Sequence, residues 1–280
     1  MNNLNIPLGV MQGRLLPKYM GRYQAHPVDY WQKEFFIARD LGLQHIEFIV
    51  DLNDLDKNPI MSEKGIAELK DLMFRSGVTV KTICADCFID VHLHSIDSSV
   101  LAKAENILKT LIIHSELLSV SDIVIPCVDQ SSLTNNESKE RFIKKILQFT
   151  SSIEKSGVNL SLETDLDPEA FSALLSYLPS PRFTVNYDTG NSASLGYDLA
   201  AEFSAYGSRI SHIHIKDRKL NGGSVNLGTG DTDFEIFFSE LESIDYKGIF
   251  ILQPYRDDEG IEIFSKQLKW FNTLLAKRNF

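Results

Sequence analysis

The chain has 280 residues, 43% hydrophobic and 24% charged, a globular composition that excludes a disordered segment and sits close to the ~250 residues of one (β/α)₈ barrel. A formal net charge of −10 with pI near 5.2 argues against nucleic-acid binding, whose footprint is a basic stripe. No apolar run approaches the ~20 residues of a membrane span, and the start MNNLNIPLGVMQGRLLPKY lacks the charged, apolar and small-residue regions of a signal peptide, so a cytoplasmic protein without membrane contact is expected.

Eight short, nearly continuous apolar runs read as strands: Leu8–Met11, His45–Val50, Thr79–Cys84, Asp122–Cys127, Asn159–Glu163, Phe183–Tyr187, Ile210–Ile215 and Gly248–Leu252. Between them, Tyr30–Leu41 places Trp31, Phe35 and Ala38 on one helical face. Lys64–Ser76, Val100–Leu118, Glu137–Lys155, Pro168–Leu178, Tyr197–Gly207, Phe234–Ile244 and Ile261–Lys277 repeat the pattern. Asp167 before Pro168 reads as an N-cap with first-turn proline, and Gly42 and Gly77 suit helix C-termini. Eight strand–helix units of about 35 residues imply a parallel sheet with helical crossovers. The absence of G-x-G-x-x-G after the first strand favours a single (β/α)₈ TIM barrel over residues 1–280, with an open doubly wound sheet as the alternative. Cys84, Cys87 and Cys127 all lie in or near strand-like runs, so buried thiols are expected rather than disulfides, and the C-x-x-C of Cys84 and Cys87 lacks the second pair of a zinc site.

A barrel carries its chemistry at the C-terminal strand ends. Those ends hold Gln12 and Arg14, Glu47, Asp86, Glu163, Asp188, His214 with Lys216 and Asp217, and Gln253. Glu, Asp, His and Gln arriving from four successive strands make a donor set suited to Mn²⁺, Co²⁺, Mg²⁺ or Zn²⁺, although any one of them alone is more often a cap or loop anchor. Arg14, Arg218 and Arg256 follow strands 1, 7 and 8 and could clamp an anionic group, surface solvation being the plain alternative. Phe88 with Asp90–Ser95, including His92 and His94, is a candidate lid.

The runs SLETD, NYDTGN, HIHIKD and NLGTGDTDF, with the opening GVMQGRL, resemble the xylose isomerase-like barrels. These are sugar phosphate isomerases and epimerases that share ancestry with endonuclease IV-type enzymes. The resemblance covers most of the chain and is strongest from Asn159 onward. It implies one divalent metal held by Glu163, Asp188 and His214, with His212 as the alternative histidine, and Glu163 as catalytic base on a sugar, sugar phosphate or polyol. The family's fourth ligand and second base is a strand-8 glutamate, where this chain has Gln253. An amide oxygen can ligate but cannot take the proton. The second proton would then come from Asp86, Glu47 or Lys216, or from Asp257, Asp258 or Glu259 if the register differs; otherwise Glu163 works alone. A one-base dehydratase or lyase, or a non-catalytic carbohydrate-binding barrel, are the alternatives. Asn191 stands where relatives often carry a histidine, which implies one metal rather than a trinuclear zinc cluster. Asn191, Lys216, Asp217 and Arg218 join Arg14, Glu47, Asp86 and Arg256 as candidate substrate contacts. A homodimer is a possible assembly, although no stretch of sequence marks its interface.

Overall fold

The computed structural model describes residues 6–256 and 260–278. Eight parallel strands close into a barrel in chain order: β1 Leu8–Met11, β2 His45–Ile49, β3 Thr79–Cys84, β4 Asp122–Cys127, β5 Asn159–Thr164, β6 Phe183–Asp188, β7 Ile210–Ile215 and β8 Ile249–Leu252. Closure is made by β1 against β8, with Gly9 opposite Ile251. The helices are α1 Gln32–Asp40, α2 Glu63–Ser76, α3 Cys87–Asp90, α4 Ser98–Leu118, α5 Asn136–Ile146, α6 Thr150–Ser156, α7 Pro168–Ser176, α8 Thr189–Leu195, α9 Leu199–Tyr206, α10 Phe234–Ser243 and α11 Ile261–Ala276.

Strand alternation splits the apolar residues into two cores. Met11, Ile49, Cys84 and Ile251 meet in a small cluster of their own inside the barrel. Their neighbours, among them Val10, Phe48, Ile83 and Phe250, turn outward into the large cluster shared with Phe35, Phe237, Phe238 and Phe271 of the helices. Helix ends follow the local chemistry. Asp167 accepts the Ala170 N–H at 2.8 Å, and Gly77 closes α2 in the left-handed region.

Three local features depart from the sequence expectation. The run Glu137–Lys155 is divided into α5 and α6 by a 3₁₀ turn at Leu147–Phe149. The stripe Phe142, Ile146, Phe149 and Ile153 stays buried across the turn, which is why its periodicity reads as one helix. Helices α3 and α8 are too short to display a period. Strand β6 runs on to Asp188, whose carboxylate caps α8 by accepting the Asn191 N–H at 2.8 Å.

The loop after β1 runs from Gln12 to Trp31 before α1 begins. Gly13 turns it at φ +83, where a Cβ would lie 2.3 Å from the Tyr23 carbonyl oxygen, so only glycine fits. The buried Glu34 carboxylate of α1 accepts the N–H groups of Gly13 at 2.9 Å and Leu15 at 3.1 Å.

Candidate metal centre

The ends of β5, β6 and β7 bring Glu163, Asp188 and His214 together. Asp188 pairs with His214 across the β6–β7 ladder, and one donor atom from each of the three lies within 4.8 Å of the others. His214 Nδ1 faces this group, 3.5 Å from Glu163 Oε2 and 3.7 Å from Asp188 Oδ2. Asn186, one pleat below Asp188, donates through Nδ2 to Glu163 Oε2 at 2.7 Å and reaches His214 Nδ1 at 3.1 Å. Asn191 donates from its side chain to Glu163 Oε1 at 2.8 Å. Lys216 Nζ stands 3.4 Å from both Asp188 Oδ2 and Asn191 Oδ1. Its stem lies over Gly190, where a Cβ would meet Lys216 Cγ at 2.7 Å, so the glycine of NYDTGN seats the lysine.

Burial and charge compete here. Burial opposes ionisation of Asp188, but the Lys216 ammonium and His214 outweigh it and pull the carboxyl down to about 2. Burial likewise disfavours a charged His214 ring, yet Glu47 and the bonds to Asp188 and Glu163 raise its pKa well above the usual histidine value. A cation entering this group would replace a proton on Nδ1.

Gln253 continues β8 on the inward face, its N–H bonded to the Ile215 carbonyl at 3.0 Å. Its Nε2 lies 3.4 Å from Gln24 Oε1, while its buried Oε1 has no hydrogen-bond partner among the described residues. Gln24 comes from the loop after β1, accepts from Arg14 at 2.8 Å, and donates to Asp86 Oδ2 at 3.1 Å. Burial pushes Asp86 up to about 6, against the bonds from the Cys84 thiol and Gln24, with the Glu163 charge adding to the rise.

Several candidate substrate contacts have internal partners instead. Glu47 is fully buried inside the barrel, with Oε1 2.6 Å from His214 Nε2 and Oε2 2.5 Å from His212 Nε2, so it does not face the open rim. Asp217 is also fully buried and accepts the backbone N–H groups of Gly228, Gly230 and Thr232 at 2.8–3.1 Å, anchoring the NLGTGDTDF loop. Arg14 donates to the Pro254 and Tyr23 carbonyls at 3.2 Å, and Arg256 donates to those of Gly13 and Leu16, so both guanidinium groups tie the β8 end to the β1 loop. Arg218 bonds the Gly222 carbonyl and Asn191 Oδ1, holding the last at 2.9 Å. Phe88 is packed in the core and is no lid; His92 and His94 stack at 4.5 Å, with the His94 carbonyl bonded to Arg141. Cys84, Cys87 and Cys127 are free and buried. Asp257, Asp258 and Glu259 lie outside the described residues.

Sequence reasoning missed Gln24, because a loop residue has no periodicity to place it over the mouth. Asn186 was findable: it precedes Asp188 by two on a strand and therefore shares its face.

Two carboxylates and one ring nitrogen within 4.8 Å of one another suit a divalent cation, and the Gln253 amide oxygen just past β8 is without a hydrogen-bond partner among the described residues. Among curated proteins, the L-ribulose-5-phosphate 3-epimerase UlaE of Salmonella heidelberg (strain SL476) is 25% identical over 236 residues, 81% of this chain and 83% of the relative. Among solved structures, the IOLI protein with a bound zinc atom superposes with a TM-score of 0.76 at 15% identity, covering 98% of this chain and 99% of that one. The D-allulose 3-epimerase of Methylomonas sp. in complex with D-allulose gives a TM-score of 0.74 at 18% identity, covering 96% of each chain. The family model described as xylose isomerase-like TIM barrel matches residues 35–274, and the chain belongs to that family.

Proposed function

We propose that this enzyme is a divalent-metal-dependent epimerase or isomerase acting on a ketose or ketose phosphate. The observation that carries the reading is the convergence of Glu163, Asp188 and His214 at the ends of three consecutive strands. Curated relatives are sugar epimerases, including one that acts on L-ribulose 5-phosphate. Glu163, Asp188 and His214 would hold the metal, with the Gln253 amide oxygen as a weaker fourth donor. When bound, the metal would polarise the substrate carbonyl and the neighbouring hydroxyl.

The chain's own residues would then do the following. Glu163 takes the proton from the carbon beside the carbonyl, and the C–H electron pair moves toward the carbonyl oxygen. Asn186 and Asn191 hold the Glu163 carboxylate in place through their two amide bonds. Of the three groups the sequence offered to return a proton, Glu47 is committed to histidines inside the barrel and Lys216 to Asp188. Asp86, raised to about 6, keeps a useful protonated fraction near neutrality and is the second proton carrier in this reading. Protonation from Asp86 leaves Glu163 protonated and Asp86 ionised, and exchange with solvent resets both. Gln253 favours a second reading, a one-base dehydration at the same site, because it removes the strand-8 base.

The test is metal content of protein purified without added metal, followed by incubation with L-ribulose 5-phosphate and D-allulose in D₂O. About one equivalent of metal and deuterium at the carbon beside the carbonyl support epimerisation. Loss of water from the substrate favours dehydration. Protein that neither holds nor takes up Mn²⁺, Co²⁺ or Zn²⁺ sinks the metal reading.

A further inference from the structure

A second cluster lies beneath the proposed ligands: Glu47 from β2, with His212 and His214 from β7, all fully buried. It shares His214 with the first. Such a trio is a candidate second metal site, but its distances decide against that. Glu47 Oε1 is 2.6 Å from His214 Nε2, and Oε2 is 2.5 Å from His212 Nε2. Donors on one ion at the usual bond lengths of about 2.0–2.2 Å stand roughly 2.9–3.4 Å apart. Separations of 2.5–2.6 Å are shorter than that, and shorter even than the usual 2.7–2.9 Å of an N–H donating to a carboxylate, so a proton rather than a metal ion joins His214 Nε2 to Glu47 Oε1.

The carboxylate therefore reaches across the barrel interior from β2 to β7, where its Oε1 is hydrogen-bonded to His214 Nε2 and its Oε2 stands against His212 Nε2 without hydrogen-bond geometry. For His214 the consequence is directional. Its Nε2 carries the hydrogen facing Glu47, and its Nδ1 is the nitrogen facing Glu163, Asp188 and the Asn186 amide. We propose that Glu47 is a positioning residue that fixes His214 with Nε2 protonated and Nδ1 turned to the metal, with the His212 ring packed against the other oxygen of the same carboxylate. This rests on the metal reading above for the ion, but the proton position is a property of the chain itself. Glu47 does not touch the proposed substrate space, so it acts through His214. Histidine ligands commonly need such a partner on the other nitrogen, and its loss typically weakens metal binding about 10- to 100-fold.

The Glu47→Gln variant is nearly isosteric, but one end of the amide must donate. Where that end faces His214, Nε2 is pushed to accept and the hydrogen moves to Nδ1, which blocks ligation. The experiment combines long-range ¹H–¹⁵N spectra of ¹⁵N-histidine-labelled protein, with and without zinc, and calorimetric titration with zinc. In wild type, His214 Nε2 is expected to carry hydrogen in both states, with zinc on Nδ1. Glu47→Gln is expected to lose about 10- to 100-fold in zinc affinity, while His212→Gln, which leaves the Glu47–His214 contact in place, changes it less than threefold. Should Glu47→Gln fail to fold, Glu47→Asp keeps the charge but loses the span, and the same weakening is expected. Wild-type His214 with Nε2 unprotonated, zinc on Nε2, or unchanged zinc affinity in the folded Glu47 variant overturns the proposal. Wild type that binds no zinc but keeps hydrogen on Nε2 instead overturns the metal reading, leaving the clamp itself intact.

Discussion

The two sides of the barrel mouth use charge in opposite ways. On the β5–β7 side, Glu163, Asp188, His214 and Lys216 face one another, and apart from the Asn191 N–H that Asp188 caps, their partners are side chains that a bound cation or substrate could displace. On the β8–β1 side, Arg14, Arg256 and Glu34 are equally buried, yet each is bonded to backbone carbonyl or N–H groups of the Gly13–Tyr23 loop and its flanks. A buried charge bonded to backbone sets loop shape, because removing it leaves main-chain groups unsatisfied. A buried charge held mainly by other side chains can exchange partners, which is what a binding site requires.

That contrast can be broken in a graded series. The largest effect is expected from Glu163→Gln, which should cost about 10²- to 10⁴-fold in kcat/KM with little change in melting temperature, since its neighbours are side chains rather than backbone. A comparable loss of stability would move Glu163 to the structural class. On the other side, Arg256→Ala should lower unfolding free energy by roughly 2–4 kcal/mol, as the Gly13 and Leu16 carbonyls lose their donor. Denaturant unfolding reads this, and a fully stable but inactive variant would return Arg256 to the substrate site. Gln253→Glu should tighten binding of the proposed metal about tenfold by replacing a neutral donor with an anionic one; calorimetry that finds no change would place Gln253 outside the donor shell.

The smallest effect near neutrality is a pH dependence on the loop side. His26 is buried against Trp31 and Phe48, with Nδ1 3.1 Å from Gln12 Oε1, and burial lowers its pKa to about 3. The unfolded ring has its ordinary value near 6.5, so the unfolded state binds more protons between these limits. Its contribution to stability is complete above pH 6.5 and is lost as pH falls toward 3, at no more than about 1.4 kcal/mol per pH unit. His26→Phe keeps the ring contacts and should flatten that part of the curve. An unchanged acid slope would assign acid sensitivity to other groups.

Much of the fold was legible because it depends on local periodicity. Eight apolar runs separated by amphipathic stretches give eight parallel strands covered by helices, and the closed barrel follows from pairing each with the next. The Glu163, Asp188 and His214 set was legible for a related reason: strand ends of such a barrel share one rim, so residues far apart in sequence are assigned a common address. The remaining site residues were not, since a charged residue near a rim has two possible destinations. Asp217 follows β7 as closely as Lys216 does, but it turns down onto the Gly228–Thr232 amides while Lys216 runs over Gly190 toward Asp188.

By itself, then, the amino-acid order determined the succession of elements, the face on which each strand residue lies, and the placing of Gln253, an amide that takes up no proton, just past β8. Tertiary structure alone decided which charges would be consumed. Whether Glu47 meets substrate or two histidines depends on the width of the barrel between β2 and β7, and whether Arg14 and Arg256 are free depends on where the β1 loop folds back. Both are distances across the molecule, set by how the strands and loops pack, and no local pattern in the chain encodes them.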